Sequence, residues 1–120
     1  MRLIKSEDIN LKETPAGERF AVLIGRHNSS GAAKQQTVAM VALSPGKSSD
    51  THFHKEREES YFFVEGFGTA DIDGQKVSVK AGDLVFAHAG EKHQFINNGS
   101  SDLKYIVFTA PSWVPEDSHS

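Results

Sequence analysis

The residues whose types and spacing could do chemistry are His52, His54, Glu59 and, further along, His93. In an extended strand, side chains two apart share a face, so His52 and His54 present two imidazoles side by side. Lys55 to Glu58 is a run of four charged residues, too polar for a buried strand, and Ser60-Tyr61-Phe62-Phe63-Val64 behind it is a strong strand former. A hairpin with the charged run as its loop would lay Glu59 opposite His54, with facing Cβ atoms roughly 5 Å apart. Two imidazoles and a carboxylate converging on one point suit Zn, Fe, Mn, Ni or Co and leave positions open for a substrate. A second strand pair could close the set with His93. On its own a His-x-His pair is commonly a polar solvent face, so the reading depends on the wider spacing.

That spacing resembles the cupin superfamily. Its first motif, G-x5-H-x-H-x(3,4)-E-x6-G, is met at Gly46, His52, His54, Glu59 and Gly66. Its second, G-x5-P-x-G-x2-H-x3-N, is met at Gly82, Gly90, His93 and Asn97, while His88 stands where the proline belongs. Proline there shapes a turn and is not a ligand, so the departure bears on loop rigidity rather than on metal binding. Fifteen residues separate Gly66 from Gly82, a short gap similar to that of small bacterial members. The resemblance implies an all-β fold, a cupin jelly-roll β-barrel of two antiparallel sheets. It also implies metal ligands at His52, His54, Glu59 and His93, one divalent transition metal per chain, and assembly as a homodimer.

The remaining elements must position these groups. Met1 to Gly17 is polar, with a Thr14-Pro15-Ala16-Gly17 turn signal, and reads as an irregular arm with one short strand at most. Arg19 to Gly25 reads as the first core strand and Gln36 to Leu43 as a second, ended by Ser44-Pro45-Gly46. His27, between them, is read as a solvated loop histidine. Both faces of the strand after Glu59 are largely apolar, with Tyr61 and Phe63 on the ligand face and Phe62 and Val64 on the other. Both sides are therefore expected to be covered, Phe62 by the N-terminal arm or by a second subunit. Thr69 to Val79 is a hairpin around Asp73-Gly74 with no assigned chemistry, and Leu103 to Thr109 is the final apolar strand. The tail from Ala110 carries two prolines, with Trp113 expected to pin it to the barrel and His119 expected to be disordered. The organisation expected is a single domain: an arm over 1–17, a barrel over 18–110 and a tail over 111–120.

Length and charge bound the function. A chain of 120 residues is one domain that can bury a modest core without disulfides. There is no Cys, hence no thiolate metal site and no sign of an oxidising compartment. Charges at Arg2, Lys5, Glu7, Asp8 and Lys12 interrupt any signal-peptide core, and no stretch approaches transmembrane length, so a cytoplasmic location is expected. A formal net charge of -3 gives no footprint for nucleic acid, and no basic amphipathic helix suggests a membrane surface. The expected partner is a small molecule.

In such a barrel Tyr61, Phe63, Phe86 and Phe95 are candidate cavity walls. Tyr61, two residues past Glu59, is a candidate acid or base; the alternative is that it packs its ring and hydrogen-bonds to backbone. A similar E-x-Y arrangement occurs in small cupins that cleave dimethylsulfoniopropionate. His88 is expected to be exposed, with a place at the cavity mouth as the alternative. By resemblance the function is that of a mononuclear metalloenzyme, a dioxygenase, decarboxylase, lyase or isomerase, acting on a small carboxylate- or sugar-like molecule. The alternative is a non-catalytic cupin that binds or senses a small ligand. A thiol dioxygenase is disfavoured because Glu59 is present, and a storage protein because the chain has room for one barrel.

Overall fold

The computed structural model describes residues 1–26 and 33–120; His27 lies outside the described residues. Nine strands carry the described structure: β1 (Lys12–Glu13), β2 (Arg19–Ile24), β3 (Thr37–Leu43), β4 (Glu58–Glu65), β5 (Phe67–Ile72), β6 (Gln75–Lys80), β7 (Leu84–Ala87), β8 (His93–Ile96) and β9 (Leu103–Ala110). They form two antiparallel sheets, one of six strands in the order β1-β2-β3-β9-β4-β7 and one of three in the order β6-β5-β8. The arm contributes one 3₁₀ turn, Ser6–Asp8, and the short β1. No helix among the described residues is long and apolar enough to cross a membrane.

The two-residue side-chain period decides what faces inward. Register across the large sheet lines up Thr37, Thr109 and Glu59 in one inward row. The next row is Val22, Ala39, Val107 and Tyr61, and the row after it Phe20, Val41, Tyr105 and Phe63. Leu43, Phe63, Leu103, Ala70 and Val79 fill the core on the side away from Glu59. The opposite parity carries Ser60, Phe62, Leu84, Phe86 and Phe108 to the outer face. Phe62 is 38% and Val64 41% exposed, so within this chain β4 is covered on one side only.

The small sheet is folded by its turn. Asp73 and Gly74 both have positive φ (51° and 85°), the backbone of a two-residue hairpin that matches strand twist. Asp73 also grips the neighbouring β7–β8 turn, its Oδ1 accepting from the Lys92 N–H at 2.8 Å and its own N–H donating to the Lys92 carbonyl at 2.8 Å. A hairpin expected to carry no chemistry thus holds the residue next to His93. Gly66 joins β4 to β5 at φ 82°, and a Cβ there would collide with the Asp102 carbonyl.

One expectation about the ligand segment is corrected. The hairpin that would lay Glu59 opposite His54 does not form. Ser48 and His52 bridge to Ile96 and His93 of β8, and Phe53 bridges to His119, while both edges of β4 are taken by β7 and β9. The charged run instead turns the chain from one sheet to the other. Its backbone is held by the tail: Asp117 Oδ1 accepts from Lys55 N–H (2.9 Å) and Oδ2 from Glu56 (3.1 Å) and Arg57 (3.2 Å). The tail is therefore ordered structure with a second 3₁₀ turn, Pro115–Asp117, and His119, expected to be disordered, stacks on Phe53 at 5.2 Å between ring centroids.

Candidate metal centre

Three imidazoles and one carboxylate meet where the two sheets face each other. His52 and His93 are brought together by a reciprocal backbone pair, His93 N–H to the His52 carbonyl at 2.9 Å and the reverse at 3.2 Å. Their Nε2 atoms stand 3.1 Å apart. His54 Nε2 lies 3.2 Å and His93 Nε2 3.3 Å from Glu59 Oε1. One ligand atom from each of His52, His54, Glu59 and His93 falls within 4.8 Å of all the others. His54, Glu59 and His93 are buried and His52 half-buried.

Hydrogen bonds at the far side of each ring aim these groups. Nδ1 of His52 lies 3.0 Å from the Asp50 carbonyl, that of His54 2.9 Å from the Asp117 carbonyl, and that of His93 3.2 Å from the Glu91 carbonyl. A backbone carbonyl only accepts, so each Nδ1 carries the proton and each Nε2 turns a lone pair toward the centre. Glu59 Oε1 accepts from the Tyr61 hydroxyl and Oε2 from the Thr109 hydroxyl at 2.5 Å.

Charge follows the same geometry. Burial alone would raise the Glu59 carboxyl, but the neighbouring His54 and His93 rings and the Thr109 hydroxyl outweigh it and hold the group ionised, far below the usual carboxylate range. Burial lowers His52, and the neighbouring His93 lowers it further, which keeps its imidazole neutral. For His54 burial pulls down, but the Glu59 carboxylate more than offsets it, so the ring is raised above its ordinary value. Burial, with the Glu59 charge added, pushes the Tyr61 phenol well above its ordinary value. Tyr61 therefore keeps its proton in the protein as it stands and acts as a donor to Glu59.

The donor set fits a metal ion. His54 Nε2 is buried without an aligned hydrogen-bond partner, an orphaned lone pair of the kind a cation satisfies. Three imidazole nitrogens with one carboxylate oxygen and no thiolate match Zn, Fe, Mn, Co or Ni better than Ca or Mg, which prefer all-oxygen sites.

The centre opens into a cavity of about 340 Å³. Of the four expected walls, Tyr61 and Phe95 line it, with ring centroids 4.5 Å apart. Phe63 does not. It is fully buried one row below Tyr61, packed on Phe95 and Tyr105 in the core. Phe86 is corrected as well: it pairs with Ser60 on the outer face, 40% exposed, because the inward parity of β7 belongs to Ala87 opposite Glu59. His88 is exposed and packs edge-on against Phe86 at 4.7 Å, away from the cavity. Its turn is held without a proline, by the Glu91 carboxylate accepting from the His88 N–H at 2.7 Å and by the Gly90 N–H donating to the His54 carbonyl at 2.6 Å.

Several residues at the site escaped the sequence reading. Thr109 and Thr37 share the inward row of Glu59, a position that strand parity alone could have assigned once the register was known. Glu18, at the end of the arm, lines the cavity and accepts from the Asp50 N–H at 3.1 Å, and burial raises its carboxyl above the ordinary value. Trp113 lines the cavity too, its backbone N–H on Thr37 Oγ1 (2.9 Å) and its indole on Ser118 Oγ (2.9 Å). Asn97 of the second motif is fully buried and structural, donating to the Leu43 and Ser101 carbonyls at 2.8 Å each and accepting from the Gly99 N–H at 2.9 Å.

Known proteins are similar to this chain in sequence or fold. An oxalate-binding protein of Thermotoga maritima is 36% identical over 74 residues, 62% of this chain and 61% of that protein, so the chain spans about three fifths of that relative's length. The crystal structure of a predicted oxalate decarboxylase from the same organism superposes with a TM-score of 0.82 at 26% identity, over 92% of this chain and 99% of that one. A polyketide cyclase from Streptomyces resistomycificus has the same fold at 20% identity, with a TM-score of 0.77 over 98% of this chain and 89% of that one. The family model for the cupin domain matches residues 39–109, and the chain belongs to that family.

Proposed function

We propose that this cupin holds one divalent transition metal on His52, His54, Glu59 and His93 and acts through it, as a mononuclear metalloenzyme, on a small oxygen-bearing molecule. The observation that carries the proposal is the convergence of three Nε2 lone pairs, each fixed by an Nδ1 contact to a backbone carbonyl, on one ionised carboxylate. A bound ion would supply Lewis acidity toward a chelating oxygen. The chain's own residues do the rest. Glu59 lowers the net charge of the centre, Thr109 fixes Glu59, and Tyr61 holds a proton at Oη beside the ligands, where it can be given to a reacting oxygen. Phe95, Tyr105 and Val107 give the cavity an apolar wall, which strengthens charge interactions beside it. By resemblance the chain would work as a homodimer, and the charged N-terminal segment suits a cytoplasmic location.

The test is turnover. Protein reconstituted separately with Zn, Mn, Fe(II), Co and Ni is offered small oxygenated compounds under air and under nitrogen. Turnover with at least one metal, lost in Glu59→Ala, supports the enzyme reading. Binding without turnover for every metal would overturn it in favour of a ligand-binding cupin, the alternative that the name of the Thermotoga oxalate-binding relative favours.

A further inference from the structure

The cavity chemistry argues for a ligand unlike oxalate or a sugar. Two charged side chains line it among the described residues, Glu18 and Glu59, and both are carboxylates; no Lys or Arg lines it. A dianion such as oxalate could bind the metal with one edge, but its other oxygens would meet no cation and a repelling Glu18. A sugar would need several hydrogen-bonding partners, and away from the centre the wall is mostly apolar, with Thr14, Glu18 and Ser49 among its few polar members. The floor beyond Tyr61 is the row Val107, Ala39 and Val22, flanked by Phe20 and Val41. Ala39, the smallest member of its row, leaves a flat slot between two valines. At about 340 Å³ the cavity lies at the small end of ligand pockets, which run roughly 300–1,000 Å³. That still gives space for about ten waters, more than the two carbons and four oxygens of oxalate need.

We infer that the ligand is a planar, mostly apolar molecule, an aromatic ring or its equivalent, that presents two adjacent oxygens to the metal at one edge and lays its ring over Ala39 and Val107. This inference rests on the metal-binding reading above and specifies the substrate class of that same site. Ala39, Val107 and Phe20 then set specificity, and Glu18 rejects a second anionic end.

Acetohydroxamic and benzohydroxamic acid separate the contributions, because they present the same pair of oxygens and differ by a methyl against a phenyl group. Zinc-loaded full-length protein is titrated calorimetrically with each and with oxalate, and zinc content is measured before and after. The expected result is benzohydroxamate at least about tenfold tighter than both acetohydroxamate and oxalate, the gain that burial of a ring supplies. In Ala39→Phe, which fills the slot, zinc content should stay at the wild-type level while the phenyl advantage disappears. Oxalate binding as tightly as benzohydroxamate, a phenyl group that adds nothing, no binding of any probe to the zinc-loaded protein, or an undiminished advantage in Ala39→Phe would each overturn the inference. Should Ala39→Phe not fold, the three wild-type affinities decide alone. Failure of the wild-type protein to take up zinc would instead overturn the metal-binding reading on which the inference rests.

Discussion

Asp117→Ala removes the side chain through which the C-terminal tail holds the ligand-bearing turn. The Asp117 side chain is 7% exposed, and its carboxylate accepts from the backbone N–H groups of Lys55, Glu56 and Arg57 and pairs with Arg57 Nη1 at 3.2 Å. The N–H groups of exposed Lys55 and Glu56 can turn to water, whereas the Arg57 guanidinium is 10% exposed and keeps only Glu56 at 3.5 Å and the Ser112 carbonyl. Hydrogen bonds to a charged group contribute about 1.5–3 kcal/mol, and stranding a buried partner adds to the loss, so about 3 kcal/mol is expected. Unfolding entropy of about 2.1 cal/mol/K per residue gives roughly 0.25 kcal/mol/K for 120 residues, hence a fall in Tm of about 12 °C. Burial would raise the Asp117 carboxyl, but the three N–H donors and Arg57 outweigh it and hold it below its ordinary value. A carboxyl depressed in the folded state stabilises above its unfolded pKa, about 3.9, and loses that contribution as pH falls through the lower folded value. Thermal unfolding by circular dichroism should therefore show a constant difference between wild type and variant from pH 7 to about pH 5.5, narrowing below pH 4. A difference under about 3 °C at pH 7, or one that does not narrow in acid, would refute the reasoning.

Other substitutions separate structural from metal-binding roles. Asn97→Ala should cost about 2–3 kcal/mol in a urea titration, since it strands two carbonyls and an N–H around a fully buried site, yet leave metal stoichiometry unchanged. Glu18→Gln keeps a carbonyl for the Asp50 N–H and removes a carboxyl whose pKa burial raises. A raised carboxyl stabilises below its unfolded pKa and loses this as pH rises through the folded value, so the variant should gain Tm over wild type at pH 7 and lose that gain near pH 4. Metal affinity, followed by equilibrium dialysis with zinc, should fall steadily as pH drops from 7.5 to 5.5. Burial opposes protonation of His54 but the Glu59 carboxylate prevails, and a proton raised in affinity there competes with the ion, which needs a neutral ring.

The sequence carried the ligand types because a metal site is written in residue identity: His52-x-His54, Glu59 and His93 are scarce donors at fixed intervals, and they do converge. It carried the hairpin at Asp73-Gly74 because that turn is a local backbone requirement. What it could not carry was partnership between distant segments. The pairing of His52 with His93, rather than of His54 with Glu59 across a hairpin, depends on which strand reaches which edge, and nothing near residue 52 encodes that. Phe86 was misplaced for a related reason: parity fixes alternation along β7 but not which half faces in, and only the register of Ala87 against Glu59 decides. Asp117 offered no signal at all, sitting in a proline-bracketed tail sixty-one residues from the Glu56 N–H it holds.

The most direct measurement is elemental analysis of the protein, expressed without a histidine tag and reconstituted with a divalent transition metal, beside Glu59→Ala and His93→Ala. One equivalent of metal per chain in the wild type, and well under half in each variant with circular dichroism unchanged, is expected from four ligand atoms within 4.8 Å. Wild-type protein that retains no metal after reconstitution, or variants that retain a full equivalent, would contradict a metal centre at these residues.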